Sequence, residues 1–474
     1  MIEPGKKNPV RALALDALRG IAILGMILSS RIPNTLPNWM FHAQNPPPTE
    51  ALRLWPGISW VDLVFPFFLF SMGAAFPFAL SKKIETGVSK LRISSGILLR
   101  GILLAVFAII IQHIRPTTLN QSPNLYTNLI AICAFVLLFF AYAKIPQITQ
   151  KMNLVLKIFG FVGLGIFLAI VKYPDGSGFK YTRSDIIILV LANMCVFGSL
   201  VWLFTKDNIL LRLSVFGILL AFRLTQNVDG SWMKYLWDNF QITGLFRIYF
   251  CQYLFIVIPG TIVGDIILKW IKDKKEIKSD EKNNFTFTVL WSTALISVTY
   301  IVLMLICLIS RWLILSAILT FAFSLLGIYI FKFAKTIDEK LLKKLFNWAA
   351  YWLVIGIMFE AYEGGIQKAK PTMSFYFITA GMAIVTLIVF TIIIDLLKQK
   401  RILNLLIKTG QNPMIAYAGG TNLIAPLLSI TYIDTFLQYF AVTPWLGAVK
   451  GLIVTLILAY VTSYFTKLKI FWRT

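Results

Sequence analysis

The chain has 474 residues, of which 58% are hydrophobic and only 14% are charged, well below the roughly 25% charged residues of a soluble domain. Mean hydropathy is +0.76, and apolar runs of about 18 residues or more recur along the whole length, each long enough to cross a bilayer as a helix. Because these runs are continuous rather than alternating, they exclude a β-barrel. The composition predicts an all-α, polytopic integral membrane protein, a helical bundle in which lipid replaces much of the buried interior.

The apolar runs predict about twelve to fourteen transmembrane helices. In chain order the candidate spans are 13–30, 60–80, 94–114, 128–143, 154–171, 185–204, 209–224, 245–271, 286–309, 312–331, 345–361, 374–397, 412–430 and 445–464. The first run contains Asp16 and Arg19 and lacks a small-residue cleavage site. We therefore expect a retained first helix rather than a signal peptide.

Basic residues are concentrated in every second loop, and they account for most of the net charge of +24. Because Lys and Arg mark cytoplasmic loops, this alternation predicts that both termini are cytoplasmic, and it explains the charge without nucleic acid as a partner. The loops at 31–59, 225–244 and 362–373 then lie outside the cytoplasm. We expect one transmembrane domain over 1–474, with the charged stretch at 272–285 as a candidate linker between two helical halves.

Four cysteines all fall inside apolar segments: Cys133, Cys195, Cys251 and Cys307. Cysteines in such positions usually pack as small apolar side chains. We therefore expect neither disulfides nor a bound metal.

The segment PGISWVDLVFPFFLFSMG at 56–73 places a carboxylate, Asp62, just inside an apolar run. A carboxylate at such a position is costly in hydrocarbon, so it usually faces the protein interior and marks a working site. The chain has only two histidines, and His42 lies in the loop that leads into this run. On spacing alone, the favoured interpretation of His42 is an exposed loop histidine without a role. The second histidine, His113, ends the third span and is interpreted as interfacial.

Seven short segments carry a family pattern. They are ALDALRGIAILGMIL at 14–28, HAQNPPP at 42–48, PGISWVDLVFPFFLFSMG at 56–73, LRISSGILLRG at 91–101, EGGIQKAKPTMSFYFITAG at 363–381, GQNPMIAYAG at 410–419 and KLKIFWRT at 467–474. In the same order, they resemble the transmembrane acyltransferase family of heparan-α-glucosaminide N-acetyltransferase, specifically its bacterial relatives. The resemblance implies that acetyl-CoA binds from the cytoplasm and that an amino sugar is acetylated on the other side of a bacterial inner membrane. It also implies a candidate homodimer.

The family's catalytic histidine falls on His42 and its acid falls on Asp62. The chemistry is compatible, since an amine that attacks a thioester must lose a proton and imidazole titrates near neutral pH. Asp62 would orient the ring and stabilise the imidazolium. Alternatively, His42 would carry the acetyl group itself as a covalent intermediate. The sequence leaves both routes open.

Three residues are candidates for binding acetyl-CoA. Arg19 and Arg100 lie in cytoplasmic halves of spans, and arginine suits the geometry of phosphate groups. Asn412 precedes Pro413 at the start of a late span, where it could supply a polar group to the acyl channel. Other interpretations stay open: an ion pair of Arg19 with Asp16, a pairing of Arg100 with Asp16, and an ordinary helix start at Asn412.

Three further residues are candidates for binding the sugar acceptor: Trp60, Glu363 and Lys368. Tryptophan beside carboxylates can bind sugar, although tryptophan at a membrane interface is more often an anchor.

Two other functions fit the same sequence. A transporter of sugars or lipid-linked glycans would account for the number of helices and the intramembrane charges, and it predicts a pair of broken helices in symmetric halves. An O-acyltransferase of cell-surface glycans would use the same scaffold to move a longer acyl group onto a hydroxyl. The acceptor itself is not specified by the sequence.

Overall fold

The computed structural model describes residues 12–47, 55–226, 228–242, 244–276 and 285–474. The basic residues before position 12, the third proline of the 46–48 run and the part of the predicted linker at 277–284 lie outside the described residues. Within the described part, regular structure is almost entirely helical.

The described residues form nineteen α-helices. They are α1 (Leu13–Ser29), α2 (Trp60–Glu85), α3 (Lys90–His113), α4 (Pro116–Leu119), α5 (Leu125–Tyr142), α6 (Gln150–Ile170), α7 (Ile186–Thr205), α8 (Ile209–Thr225), α9 (Trp232–Asn239), α10 (Leu254–Glu276), α11 (Phe287–Ile309), α12 (Leu313–Phe331), α13 (Ile337–Met358), α14 (Met373–Thr391), α15 (Asn404–Gln411), α16 (Pro413–Gly419), α17 (Ala425–Ile430), α18 (Ile433–Phe440) and α19 (Pro444–Lys467). A π-helical turn at Gly420–Ile424 joins α16 to α17, so the two form one continuous span.

Twelve helices in the described ranges are long and apolar enough to cross a membrane. This confirms the prediction of an all-α polytopic membrane protein. The two remaining predicted spans are also helices, α1 and α8, with 17 residues each. At 1.5 Å per residue each is about 25 Å long, slightly shorter than the hydrocarbon core of a bilayer.

The eleventh predicted span starts too late, because the structure begins α13 at Ile337 rather than at 345. The side chain of Thr336 accepts a hydrogen bond from the backbone of Glu339, and the Glu339 carboxylate accepts one from the backbone of Thr336. This reciprocal capping stabilises the first turn by about 1 kcal/mol. The charged first turns therefore extend the helix beyond its apolar part.

Small residues let the central helices approach closely. A Cβ atom added to Gly20 of α1 would overlap the backbone carbonyl of Leu406 in α15, and one added to Gly73 of α2 would overlap the carbonyl of Val257 in α10. In membranes such close backbone approach replaces much of the hydrophobic driving force. The helices before the candidate linker thus pack directly against helices that follow it.

The bundle has two ends, which we name from their contents. At the His42 end, the loop before α2 meets the segment 359–372: the backbone N–H of Gly57 donates to the carbonyl of Ile366 over 2.7 Å. At the opposite, basic end, Lys272 pairs with Glu85 over 2.6 Å. The carboxyl-terminal residues also lie at the basic end.

Two short antiparallel strand pairs complete the fold. Strand β1 (Ala143–Lys144) pairs with β4 (Phe471–Trp472), and β2 (Gln241–Ile242) pairs with β3 (Phe246–Arg247). The first pair fixes the carboxyl-terminal segment against the end of α5. The four cysteines are unpaired, and all but Cys133 are buried.

We expect Gly20→Ala to lower the melting temperature of the detergent-purified protein, because the added methyl group would force α1 away from α15. Overpacking of this kind costs about 1–3 kcal/mol. Gly96→Ala in α3 is the matched control, since nothing lies within 4 Å of its added Cβ and alanine favours a helix by up to about 1 kcal/mol over glycine. Equal melting temperatures for the two variants would contradict the packing described here.

Candidate active site

Asp62 lies at the third position of α2 and is fully buried. Its Oδ2 accepts hydrogen bonds from the backbone N–H of Ser59 over 2.9 Å and of Ala43 over 3.1 Å. The first bond closes a capping box with Ser59, and the second holds the loop that carries His42 against the helix. A buried carboxylate is tolerated when several donors satisfy it, and here those donors also fix the loop.

His42 contacts Asp62 directly, as the resemblance implied. Nδ1 of the ring lies 2.7 Å from Oδ1 of Asp62. Because an ionised carboxylate can only accept, Nδ1 carries the hydrogen and the lone pair of the neutral ring lies on Nε2. The side chain of His42 is 41% exposed while that of Asp62 is 0% exposed. The ring is therefore oriented by a buried acid and still accessible to a substrate.

Lys368 is the third member of this group. Its Nζ lies 2.9 Å from Nδ1 and 3.2 Å from Nε2 of His42, and 3.8 Å from Oδ1 of Asp62. Burial lowers the pKa of the Lys368 ammonium, and the charge of Asp62 opposes that shift. The sequence analysis assigned Lys368 to substrate binding, and the structure places it beside the candidate catalytic histidine.

Gln44 connects the loops that carry these groups, and sequence reasoning missed it. Its side chain is almost fully buried. Oε1 accepts from the backbone N–H of Lys368 over 3.0 Å, and Nε2 donates to the carbonyls of Trp55 and Gly57 over 3.1 and 2.8 Å. The only sequence signal was a polar residue two positions after His42, in the HAQN segment.

Glu363 forms an ion pair and a hydrogen bond near the start of α14. Its carboxylate pairs with Arg223 over 2.9 Å and accepts from the backbone N–H of Met373 over 2.7 Å. Both contacts anchor the segment that carries Lys368. The predicted contact of Glu363 with a sugar stays a prediction.

Trp60 begins α2, and its ring lies beside Gly25 of α1. It is half-buried at the His42 end. Its predicted contact with the sugar acceptor likewise stays a prediction.

A cavity of about 450 Å³ opens between α1, α2, α3, α7, α16 and the carboxyl-terminal segment. Arg19 and Arg100, both predicted to bind acetyl-CoA, line it together with Arg473. These three guanidinium groups are the charged side chains among its lining residues. The sequence analysis placed Arg473 in the KLKIFWRT segment without a role of its own, because the strand that brings it to the cavity is only two residues long.

Asn412 does not line this cavity, although its neighbours Gln411 and Pro413 do. It is buried; Nδ2 donates to the carbonyl of Ile470 over 2.8 Å, and Oδ1 accepts from the backbone N–H of Trp472 over 3.3 Å. Asn412 therefore positions the segment that carries Arg473. A direct contact of Asn412 with acetyl-CoA stays a prediction.

Arg19 has protein partners as well as a place in the cavity wall. It pairs with Asp16 over 3.8 Å and donates to the backbone carbonyls of Gly410 and Ser71 over 3.3 Å each. The predicted ion pair between Asp16 and Arg19 is thus present. It leaves Arg100 and Arg473 as the cavity arginines without such an ion pair in the described structure.

The cavity and the His42 site share α2. One face of that helix, from Phe68 to Ala79, lines the cavity over about 16 Å. Asp62 lies six residues before Phe68, or about 9 Å along the helix axis. The cavity lining does not include His42 or Asp62, so a ligand in the cavity would have to extend past Phe68 to meet the ring.

The family profile described as "Domain of unknown function (DUF5009)" matches residues 11–267, which is more than half of the chain. The chain belongs to the DUF5009 family. Human heparan-alpha-glucosaminide N-acetyltransferase is 33% identical over 106 residues, which cover 22% of this chain and 14% of the human protein. The chain therefore matches only a small part of that relative's length. The DUF5009 region includes His42, Asp62, Arg19 and Arg100.

We expect Asp62→Asn to lower the melting temperature more than Ser59→Ala. Both changes disturb the capping box, and loss of an amino-terminal cap alone costs about 1 kcal/mol. Only Asp62→Asn also weakens the bonds to His42 and Ala43 and leaves Lys368 without its carboxylate, which adds a penalty of about 1–3 kcal/mol. Thermal unfolding followed by fluorescence would measure both. Equal effects would show that Asp62 acts as a cap alone.

Proposed function

We propose that this DUF5009 protein is a transmembrane acetyltransferase. It would move an acetyl group from cytoplasmic acetyl-CoA to an amino sugar on the other side of a bacterial inner membrane. The observation that carries the proposal is the pairing, along one helix, of a carboxylate-oriented histidine at one end with an arginine-lined cavity toward the other. The partial similarity to human heparan-alpha-glucosaminide N-acetyltransferase supports the reaction class.

The cavity suits the donor in charge. Its volume of about 450 Å³ lies within the usual range for small-molecule sites. Arg100 and Arg473 offer planar, permanently charged groups that match phosphate oxygens. The lining toward Met26 and Phe68 is apolar, as an uncharged thioester arm requires. In this arrangement the phosphates stay at the basic end and the acetyl group points toward His42.

In a direct transfer, Nε2 of His42 takes a proton from the acceptor amine as its nitrogen attacks the thioester carbonyl. The tetrahedral intermediate then expels the thiolate of CoA, and the imidazolium returns the proton to that thiolate. The products are the N-acetylated amine and free CoA. Asp62 holds the ring and stabilises the imidazolium while it exists.

In a two-step transfer, Nε2 itself attacks the carbonyl and the CoA thiolate leaves, so that the acetyl group resides on His42. The amine then attacks this acetylimidazole, forms the amide and releases a proton to water, and the neutral ring is restored. The CoA thiolate takes up one proton from water, so the products are again the amide and free CoA. The dyad geometry serves both routes. An acetyl carrier at the His42 end would let donor and acceptor bind at opposite ends without meeting.

We expect purified protein incubated with isotopically labelled acetyl-CoA and glucosamine-type acceptors to transfer the label, as detected by mass spectrometry. His42→Ala should lose transfer by at least about 100-fold, the usual contribution of a positioned base, while it still binds CoA. Labelled hydroxyl acceptors would instead favour an O-acyltransferase. Unchanged turnover in His42→Ala would contradict the assignment.

We expect Arg100→Gln and Arg473→Gln each to weaken acetyl-CoA binding by about 10- to 100-fold, because a hydrogen bond to a charged group contributes about 1.5–3 kcal/mol. Arg92→Gln is the control, since Arg92 is an exposed residue at the start of α3 and does not line the cavity. Calorimetric titration of CoA into each variant would measure the effect. Equal affinities in all three variants would place the donor elsewhere.

A further inference from the structure

The contact of Lys368 with His42 joins two parts of the chain that are 326 residues apart. Hydrogen bonds between the two loops hold the backbone around both residues in place. Gln44 holds the backbone of Lys368, and the backbone N–H of Gly57 binds the carbonyl of Ile366 in the same segment. The position of the ammonium beside the ring is therefore built into the loops.

The charges around the ring explain what this position does. Asp62 is buried and accepts from donors at both oxygens, so it stays ionised and requires a positive charge nearby. A lone imidazole at 2.7 Å would be driven toward its protonated form by that carboxylate. A protonated ring has no lone pair, so it can neither accept a proton nor attack a thioester.

The ammonium of Lys368 supplies the positive charge in place of the ring, because the Asp62 carboxylate, 3.8 Å from Nζ, opposes the effect of burial on the pKa of Lys368. Its Nζ lies within 4 Å of Asp62 and within 3.2 Å of Nε2, so a second cation on His42 would be repelled. Among the described residues, which omit 48–54 of the same loop, the charged groups that contact the ring are Asp62 from α2 and Lys368 from the segment before α14. The nearby Arg311–Glu360 pair borders the same segment at Gly365 and neutralises itself.

We propose that Lys368 is a positioning residue that keeps His42 neutral by providing the cation that Asp62 requires. The inference deepens the proposed function, because a neutral ring is the form that both transfer routes need. It assigns Lys368 to control of the histidine rather than to contact with the sugar.

Diethyl pyrocarbonate tests the proposal without relying on transferase activity. The unprotonated imidazole nitrogen attacks the reagent and becomes ethoxyformylated, while carbon dioxide and ethanol leave. His113, the second of two histidines, is fully buried, and mass spectrometry of the peptide with residue 42 isolates the relevant rate. The midpoint of that rate against pH reports the loss of the proton from His42.

We expect the midpoint to move to higher pH by about one unit or more in Lys368→Met and Lys368→Gln, since a like charge within 4–6 Å shifts a titration by that amount. Lys368→Arg should keep the wild-type midpoint because it keeps the charge. Lys370→Met, an exposed lysine two residues further along, is the matched control and should not move it. Two uncharged variants are used so that the test can still be made if one of them does not fold.

An unchanged or lower midpoint in the folded uncharged variants would overturn the proposal. A move to higher pH in Lys368→Arg as large as in the uncharged variants would also overturn it. If transfer is detected, the acid limb of its rate profile should move in parallel with the labelling midpoint. A shifted midpoint in a protein that transfers no acetyl group would keep the proposal for Lys368 and reject the proposed function. Failure of the proposal for Lys368 and failure of the proposed function are therefore distinguishable.

Discussion

The buried carboxylate of Asp62 is the constraint on which the His42 end depends. An ionised group in a membrane-spanning helix is tolerated only with a full set of partners. Asp62 contacts two backbone N–H groups, the Ser59 hydroxyl, the His42 ring and the Lys368 ammonium. Those partners come from the first loop and from the segment before α14, while Asp62 itself lies in the first turn of α2. Satisfying one carboxylate therefore joins three separate parts of the chain.

Helix α2 contributes residues both to this site and to the cavity. Its first turn carries Asp62, and a face beginning less than two turns later lines the cavity. Close contact with α10 at Gly73 leaves little freedom for the helix to move between these two regions. The shared helix sets the separation between cavity and histidine, and a defined separation is what a linear, two-ended substrate such as a CoA thioester needs.

Whether a feature of the fold or the site could be predicted from the sequence depends on how far apart in the chain the interacting residues lie. The spans were predictable because apolar length is a local property, and the start of α13 was missed because a capping box, also local, was not considered. The pairing of His42 with Asp62 came from the family resemblance, since spacing alone favoured an idle loop histidine. The contact of Lys368 with His42 joins residues 326 positions apart, so no periodicity or spacing could indicate it.

Asn412 and Arg473 show a different limit. A polar residue before a proline suggested a helix start that faces a channel, whereas its amide binds the backbone of the carboxyl-terminal segment. That role depends on a strand pair of two residues, which carries no sequence signal of its own. The residue that sequence reasoning placed at the donor site thus positions one that it overlooked, Arg473.

The two ends of the molecule differ in the charged side chains that they present. The cavity presents three guanidinium groups and no lining carboxylate side chain, so it favours a polyanion. At the His42 end, the carboxylate of Asp62 lies 3.8 Å from the ammonium of Lys368, and the two opposite charges offset each other. Under the proposed function, Lys368 would also disfavour an acceptor that arrives as an ammonium ion, because a second cation would lie close to the first. The acceptor would then bind as the free amine, the only form that can attack an acyl group.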